Sequence, residues 1–253
     1  MMTGYRYFIY LSYSGKAYHG WQVQPGKISV QEKVEEALRV ILQENTGLTG
    51  AGRTDAGVHA RLFTAHFDSS RDDLAGNGNI IFRLNTFLPG DISIRDIRAV
   101  KREAHARFDA LSRTYMYYIS LKKDPFLRDF TYYRHGKLDI DAMNRAAAYL
   151  LCHEDFTSFS RSRTQVKTNN CKIYEAGWTR EKDMLVFSIQ ANRFLRNMVR
   201  AIVGSMLDIG SAKMPPGAME DIIMAKDRSA AGISAPAEGL FLEEIEYDLS
   251  VFL

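Results

Sequence analysis

Apolar side chains recur with a helical period at two places in the first half of the chain and form strand-like runs between them. Residues 29–42 repeat apolar side chains every three or four positions, as one face of a helix does. Ser29, with Glu32 three residues later, has the spacing of a helix-capping box. The predicted order is strand, helix, short segment, strand, helix and strand, at residues 5–12, 29–42, 46–52, 60–69, 79–88 and 92–100.

The second half of the chain repeats this order. The helix predicted over residues 139–151 has Asp139 or Asp141 near its N-terminus, and a helix over 194–210 stops at Gly210. The predicted strand, helix, two strands, helix and strand occupy residues 113–121, 139–151, 171–180, 184–192, 194–210 and 240–248. Each half is therefore β-α-β-β-α-β, an arrangement that places both helices on one face of a sheet.

These patterns predict an α+β protein built of two similar β-α-β-β-α-β halves, residues 1–105 and 106–253, that form a largely antiparallel sheet. We expect the helices on one face of this sheet and a binding cleft on the other. Residues 101–112 are the predicted crossover between the halves.

Composition narrows the class of protein. The 253 residues are 46% hydrophobic and 25% charged, which is typical of a soluble globular chain. No apolar run approaches the roughly 18–20 residues of a membrane span, and the chain begins with a strand pattern where a signal peptide would have a long apolar stretch. The two cysteines, Cys152 and Cys171, lack metal-ligand spacing, so we expect a cytoplasmic protein without a metal site.

Charge is unevenly distributed, although the net charge is only +3. Between residues 161 and 200, nine basic residues stand against three acidic ones. The basic residues are Arg161, Arg163, Lys167, Lys172, Arg180, Lys182, Arg193, Arg196 and Arg200. Such a cluster predicts a surface for a polyanion such as a phosphate backbone, and the alternative is an ordinary solvated face.

One short loop carries the candidate chemistry. In residues 50–60, GAGRTDAGVHA, Arg53 and Asp55 lie between glycines where no hydrophobic period can form a helix. Loops on a rigid sheet commonly carry catalytic groups, and glycines let a ligand approach the backbone. The alternative is a turn in which Asp55 bonds to its own backbone and Arg53 is a surface charge.

Several motifs along nearly the whole chain resemble those of one known family. GAGRTDAGVHA follows SYSGKAYHGWQVQP and SVQEKVEEAL, and after it come LPGDI, HARFDALSRTYMYYI, DFTSF, FLRNMVRAIVGSML and AEGLFL, in the family's order. The chain thereby resembles the pseudouridine synthase A family, whose members isomerise uridine in the anticodon stem-loop of tRNA. The resemblance implies tRNA as the partner, an RNA-binding cleft on the open sheet face, positions 38, 39 and 40 as targets, a cytosolic homodimer and no cofactor.

The resemblance also implies roles for individual residues. Asp55 corresponds to the catalytic aspartate, and Tyr115 to the tyrosine that lies against the target base. Arg53 corresponds to an arginine that holds the target nucleotide out of the helix, and Arg200 to the basic partner of the aspartate. Departures from the family pattern, which bear on the RNA footprint rather than on the chemistry, are Arg193, Arg196, Asn197 and Ala201.

The chemistry of the residues is consistent with such a reaction. Moving uracil from an N1 to a C5 link gains and loses no group, so neither a redox cofactor nor a nucleoside triphosphate is required. A carboxylate that acts as a nucleophile must be ionised, and a nearby arginine such as Arg200 favours that form. Arg193, Arg196 and Arg200, spaced three and four residues apart, are predicted on one helical face, where they would meet RNA phosphates.

Two other functions stay open from the residues alone. A non-catalytic RNA-binding module would have the same basic surface and would not need Asp55. A glycosidase-like hydrolase normally needs two carboxylates, and only Asp55 has a motif around it. His59 and His66 have a spacing that fits no standard metal site, so we expect structural or RNA-contact roles for both.

Overall fold

The fold contains nine strands and five α-helices in the residues that the computed structural model describes, 4–161 and 168–253. The strands are β1 (Tyr5–Tyr13), β2 (Thr49–Gly50), β3 (His59–Ser69), β4 (Ile92–Val100), β5 (Ala110–Ser120), β6 (Tyr132–Tyr133), β7 (Ile173–Glu181), β8 (Met184–Ala191) and β9 (Leu240–Tyr247). The helices are α1 (Val30–Leu42), α2 (Gly78–Phe87), α3 (Ile140–Leu150), α4 (Met198–Gly210) and α5 (Ala218–Ala225). None of these described helices is long and apolar enough to cross a membrane.

The predicted α+β class and element order are confirmed. The order β1-α1-β2-β3-α2-β4 is followed by β5-α3-β7-β8-α4-β9, with β6 and α5 added to the second set. Most strand pairs are antiparallel, whereas β6 pairs parallel with β5. Helix α5 was not predicted, although its buried side chains, Met219, Ile222 and Ile223, have helical spacing.

Contacts between Cα atoms divide the chain into two compact units. One comprises the described residues of Met1–Leu111 together with Leu242–Leu253, and the other comprises those of Ser112–Phe241. The sequence pattern places β9 at the end of the second half, but its residues from Leu242 onward group with the first unit.

In the first unit, β1 lies between β3 and β4 and pairs antiparallel with both. Ile9, which is fully buried, stands opposite Ala65 on β3 and Ile97 on β4. The middle strand, β1, therefore lies in the core of this unit. The Ser29 hydroxyl accepts a hydrogen bond from the Glu32 N–H at 3.3 Å. The predicted N-cap of α1 is therefore confirmed.

Residues from the end of the sequence complete this first unit. The ring of Phe8 on β1 lies 4.9 Å from that of Tyr247 and 6.1 Å from that of Phe252, measured between ring centroids. The Lys101 N–H donates a hydrogen bond to the Val251 carbonyl at 2.9 Å. The two stretches of chain thus share one core and one set of backbone hydrogen bonds.

In the second unit, β8 lies between β5 and β7 and pairs antiparallel with both. Tyr115 on β5 stands opposite Ile189 on β8. The Asp139 carboxylate accepts a hydrogen bond from the Ala142 N–H at 2.8 Å, so Asp139 is the N-cap of α3. This bond decides between the two aspartates that the sequence offers for that position.

Helix α4 is buried along most of its length but begins later than the sequence predicts. Its first residue is Met198, and the preceding Asn197 has a left-handed backbone with φ of 66°. An α-helix cannot run through such a residue, so the predicted start at Phe194 is wrong. Apolar side chains of α4 are buried in the core, as Val199 and Ile202 show.

Candidate active site

Asp55 lies between β2 and β3 in residues 51–58, which we call the aspartate loop. Asp55 is partly exposed, and its backbone carbonyl accepts a hydrogen bond from the Val58 N–H at 3.2 Å, which closes a turn directly after the carboxylate. Arg53, two residues earlier on the same loop, is exposed. The loop therefore leaves both charged residues accessible to a ligand.

Thr54, the residue immediately before Asp55, anchors the aspartate loop. It is buried, its hydroxyl lies 2.8 Å from the Tyr13 hydroxyl, and its carbonyl accepts a hydrogen bond from the Trp21 N–H at 3.3 Å. The Trp21 ring stacks on Phe63 of β3 at 4.0 Å. Both the side chain and the backbone of Thr54 are thus held, and the position of Asp55 follows from them.

The close approach of Gly20 to the aspartate loop explains a glycine in the SYSGKAYHGWQVQP motif. Gly20 has φ of +94°, and a Cβ added there would lie 2.3 Å from the Thr54 carbonyl oxygen. Any other residue would therefore displace the loop. Neither Gly20 nor Tyr13 was predicted from the sequence as a support of the aspartate loop.

His59 and His66 make structural contacts, which is one of the two kinds of role expected for them. The His59 Nδ1 accepts a hydrogen bond from the Gly15 N–H, and the His66 Nδ1 accepts one from the Ala106 N–H, each at 3.1 Å. Both rings are buried. Among the residues that the structure describes, no three histidine, cysteine, aspartate or glutamate side chains are grouped as metal ligands.

Tyr115 lies on β5 in the second unit and is partly exposed. Its ring makes an edge contact with Phe194, with the centroids 5.1 Å apart and the planes at 88°. Two positions along the strand, Tyr117 is buried and donates its hydroxyl hydrogen to the Pro236 carbonyl at 2.8 Å. The contact with Phe194 holds the orientation of the Tyr115 ring, and Phe194 is a further residue that the sequence analysis did not single out.

Arg200 lies in the first turn of α4 and is partly exposed. Its Nε donates a hydrogen bond to the Ala235 carbonyl at 2.7 Å, and the Ala235 N–H donates to the Arg200 carbonyl at 2.9 Å. Burial raises the pKa of Tyr117 well above its ordinary value, and the positive charge of Arg200 opposes this rise. Arg200 therefore belongs to a local cluster with Tyr117 and residues 235–236.

The predicted helical face of three arginines is wrong, because only Arg200 lies in α4. Arg193 precedes the helix and donates from Nη1 to the Thr168 carbonyl at 3.4 Å. Arg196 is also outside the helix and is exposed, and its carbonyl accepts a hydrogen bond from the Arg161 N–H at 3.2 Å. Two further members of the predicted basic cluster, Arg163 and Lys167, lie outside the described residues.

Comparisons with known proteins identify the family. A family model described as tRNA pseudouridine synthase matches residues 146–248. A protein of Parabacteroides distasonis named tRNA pseudouridine synthase A is 50% identical over 250 residues, which are 98% of each chain. Proteins of the same name from Bacteroides fragilis and Bacillus subtilis are 51% and 38% identical, over 99% and 94% of this chain and 100% and 97% of theirs. The chain belongs to the tRNA pseudouridine synthase A family.

Membership in the tRNA pseudouridine synthase A family extends over both units. The family model covers α4 and Arg200 but not the aspartate loop, which begins at residue 51. The relatives cover nearly the full chain and therefore include the first unit as well. The expected resemblance is thus confirmed over the whole chain and does not depend on its second half alone.

The environment of His66 makes this member of the tRNA pseudouridine synthase A family sensitive to acid. Burial, followed by the positive charges of His105 and Arg6, lowers the pKa of His66 from 6.5 to about 4. An unfolded chain binds a proton at His66 near pH 6.5, whereas the folded chain resists protonation down to about pH 4. The contribution of His66 to stability is therefore complete above about pH 6.5 and is lost as the pH falls toward about 4.

We predict that His66→Asn reduces the loss of stability between pH 6.5 and pH 4. Asparagine keeps an acceptor for the Ala106 N–H but binds no proton in this range. The free energy of unfolding of the wild type, relative to the variant, should fall by on the order of 3 kcal/mol across the window, since one pKa unit corresponds to about 1.4 kcal/mol. Urea denaturation at several pH values measures the free energy of unfolding, and replacement of the exposed residue in His135→Asn is the control. If this free energy changes equally with pH in the wild type and in His66→Asn, the role assigned to His66 is contradicted.

Proposed function

We propose that this chain is a tRNA pseudouridine synthase that isomerises uridine to pseudouridine at positions 38, 39 and 40 of the anticodon stem-loop. The observation that carries the proposal is identity at about half of the residues, over nearly the full length, to relatives that are named for this activity. The enzyme acts as a cytoplasmic homodimer and requires no cofactor.

Asp55 is the proposed nucleophile. The reaction breaks the bond between N1 of uracil and C1′ of ribose and forms a bond between C5 and C1′ within one nucleotide. C5 loses a proton and N1 gains one, so no co-reactant is needed. An ionised Asp55 attacks the base or the ribose and is released unchanged. The two hydrogen bonds that anchor Thr54 support this role, because a nucleophile must be held in a near-attack geometry.

Tyr115, Arg53 and Arg200 act on the substrate or on the nucleophile. Tyr115 stacks on the target uracil, a role supported by a partly exposed ring whose orientation Phe194 restrains. Arg53, exposed on the aspartate loop, occupies the place that the uridine leaves in the stem, since extruding a base costs a few kcal/mol. Arg200 supplies a positive charge that favours the ionised form of the nucleophile.

We predict that Asp55→Asn lowers the rate of pseudouridine formation by more than about a thousandfold, as removal of a nucleophile does in other enzymes. Asparagine has the same size but cannot act as the nucleophile. The substrate is a tRNA transcript with tritium on C5 of its uridines, and tritium release under single-turnover conditions reports bond formation at C5. Three transcripts, each with a uridine at only one of positions 38, 39 and 40, test which of these positions the enzyme modifies.

The matched control is Asp72→Asn, which makes the same change at an exposed residue of the first unit. Both variants should bind the transcript with a dissociation constant within a few fold of the wild type. Substantial turnover by Asp55→Asn would remove Asp55 from the proposed role. Tight binding by the wild type without tritium release would instead favour a non-catalytic RNA-binding protein.

Arg193 and Arg196 are proposed to contact phosphates of the tRNA, and their joint replacement by alanine should flatten the salt dependence of binding. Each phosphate contact that is lost reduces the slope of log K against log salt by about 0.7–0.9. Fluorescence anisotropy over a range of salt concentrations measures the slope. Arg39→Ala with Arg145→Ala removes the same charge from exposed positions on α1 and α3, and an equal slope in both double variants would contradict the proposed contact.

Replacement of Arg200 by alanine should shift the acid limb of the pH–rate profile to higher pH. The positive charge lowers a carboxylate pKa by about 1–3 units in typical cases, so its loss raises that pKa and shifts the limb to higher pH. Single-turnover rates between pH 4 and 9 measure the shift. Arg200→Lys keeps the charge and should leave the limb in place, and coincident limbs for the wild type and Arg200→Ala would show that the charge serves another purpose.

A further inference from the structure

We propose that Arg228, Ser234 and Asn197 are positioning residues that set the place of the Arg200 guanidinium. We call these three side chains the α4 clamp. The proposal rests on the proposed function, because its consequence is read in the rate of pseudouridine formation. None of the three residues is assigned to the chemistry above.

The segment that follows α5 lies directly on the backbone of α4. A Cβ added to Gly204 in the middle of the helix would lie 1.8 Å from the Ile233 carbonyl oxygen, so only glycine allows this approach. The Gly232 N–H donates a hydrogen bond to the Ser205 hydroxyl at 2.9 Å. The segment is therefore packed on the helix at a separation that a larger residue would prevent.

Arg228 holds the shape of this segment. Its Nη1 donates to the Ala231 and Gly232 carbonyls, both at 3.2 Å, and its Nη2 donates to the Ser234 hydroxyl at 3.0 Å. Arg228 is partly buried. A guanidinium is a rigid planar fork, so these three bonds fix the backbone turn and the serine relative to one another.

Ser234 connects the turn to the start of α4. Its hydroxyl accepts a second hydrogen bond, from Nδ2 of Asn197, at 2.6 Å. Asn197 is the residue whose left-handed backbone begins the helix, three positions before Arg200. A single hydroxyl thus joins Arg228, which shapes the segment, to Asn197, which starts the helix.

The residue after Ser234 holds Arg200 directly. Ala235 is buried, its N–H donates to the Arg200 carbonyl at 2.9 Å, and its carbonyl accepts from the Arg200 Nε at 2.7 Å. Because Ser234 and Ala235 are adjacent in the chain, a shift of the serine moves the carbonyl that orients the guanidinium. The clamp therefore acts through Arg200, and a displacement of about 1 Å in such a group can slow a reaction up to a hundredfold.

Ser234→Ala tests the clamp, because it removes the hydroxyl that both Arg228 and Asn197 use. We expect the single-turnover rate to fall by about ten- to a hundredfold, while the dissociation constant for the transcript stays within about twofold. Ser234→Thr keeps the hydroxyl and should restore the rate. Ser229→Ala is the control, since its hydroxyl donates to Asp227 on an exposed turn of the same segment.

Arg228→Lys is the second variant, which keeps the charge and loses the fork. It should lower the rate in the same way, again without a matching change in the dissociation constant. An unchanged rate in both Ser234→Ala and Arg228→Lys would overturn the proposal. So would a rate loss that Ser234→Thr does not rescue and that follows a lower melting temperature, because the hydroxyl would then serve only the fold.

A double-mutant cycle tests whether the clamp acts through Arg200. Arg200→Lys has no Nε donor for the Ala235 carbonyl, so adding Ser234→Ala to it should slow the reaction much less than in the wild-type background. Independent losses that multiply would overturn the proposal. If the wild type itself forms no pseudouridine, the proposed function fails, whereas an active wild type with unaffected clamp variants contradicts the clamp alone.

Discussion

The hydrogen bonds at Thr54 are the constraint on which the proposed nucleophile depends. A loop with glycines at positions 52 and 57 has many conformations, and holding one residue in a single backbone conformation costs about 1–2 kcal/mol. The stacked Trp21 and Phe63 rings bury the segment that supplies the Trp21 N–H, and the Tyr13 hydroxyl engages the Thr54 side chain from β1. The aspartate loop is therefore held by the core of its unit as well as by its own turn between Asp55 and Val58.

In the second unit, backbone contacts likewise hold a charged side chain, the guanidinium of Arg200. Arg200 is oriented by the backbone carbonyl of Ala235, and the segment that supplies this carbonyl packs on the helix at Gly204. In both units a backbone packs against a backbone at a glycine, either Gly20 or Gly204. A carbonyl has no side-chain rotamers to lose, so it holds its partner at little cost in entropy.

Features that depend on residues close together in the sequence could be predicted, whereas features that depend on distant residues could not. Ser29 was predicted as a helix cap, and Asp139 as one of two candidates, because the donors they engage lie three residues away. The start of α4 was missed because Asn197 is held in a left-handed conformation beside Ser234, 37 residues later in the chain. Family motifs pointed to Asp55 and Arg200 as candidates, but the Ala235 carbonyl that orients Arg200 belongs to a backbone, which no residue type reveals.

The contribution of residues 242–253 to the first unit determines when that unit can be completed during synthesis. Phe8 near the beginning of the sequence needs the rings of Tyr247 and Phe252, and Lys101 needs the Val251 carbonyl. Residues 112–241 form their own unit and can leave the ribosome while the first unit still lacks these partners. The half of the protein that is synthesised first is thus finished last, and the aspartate loop belongs to that half.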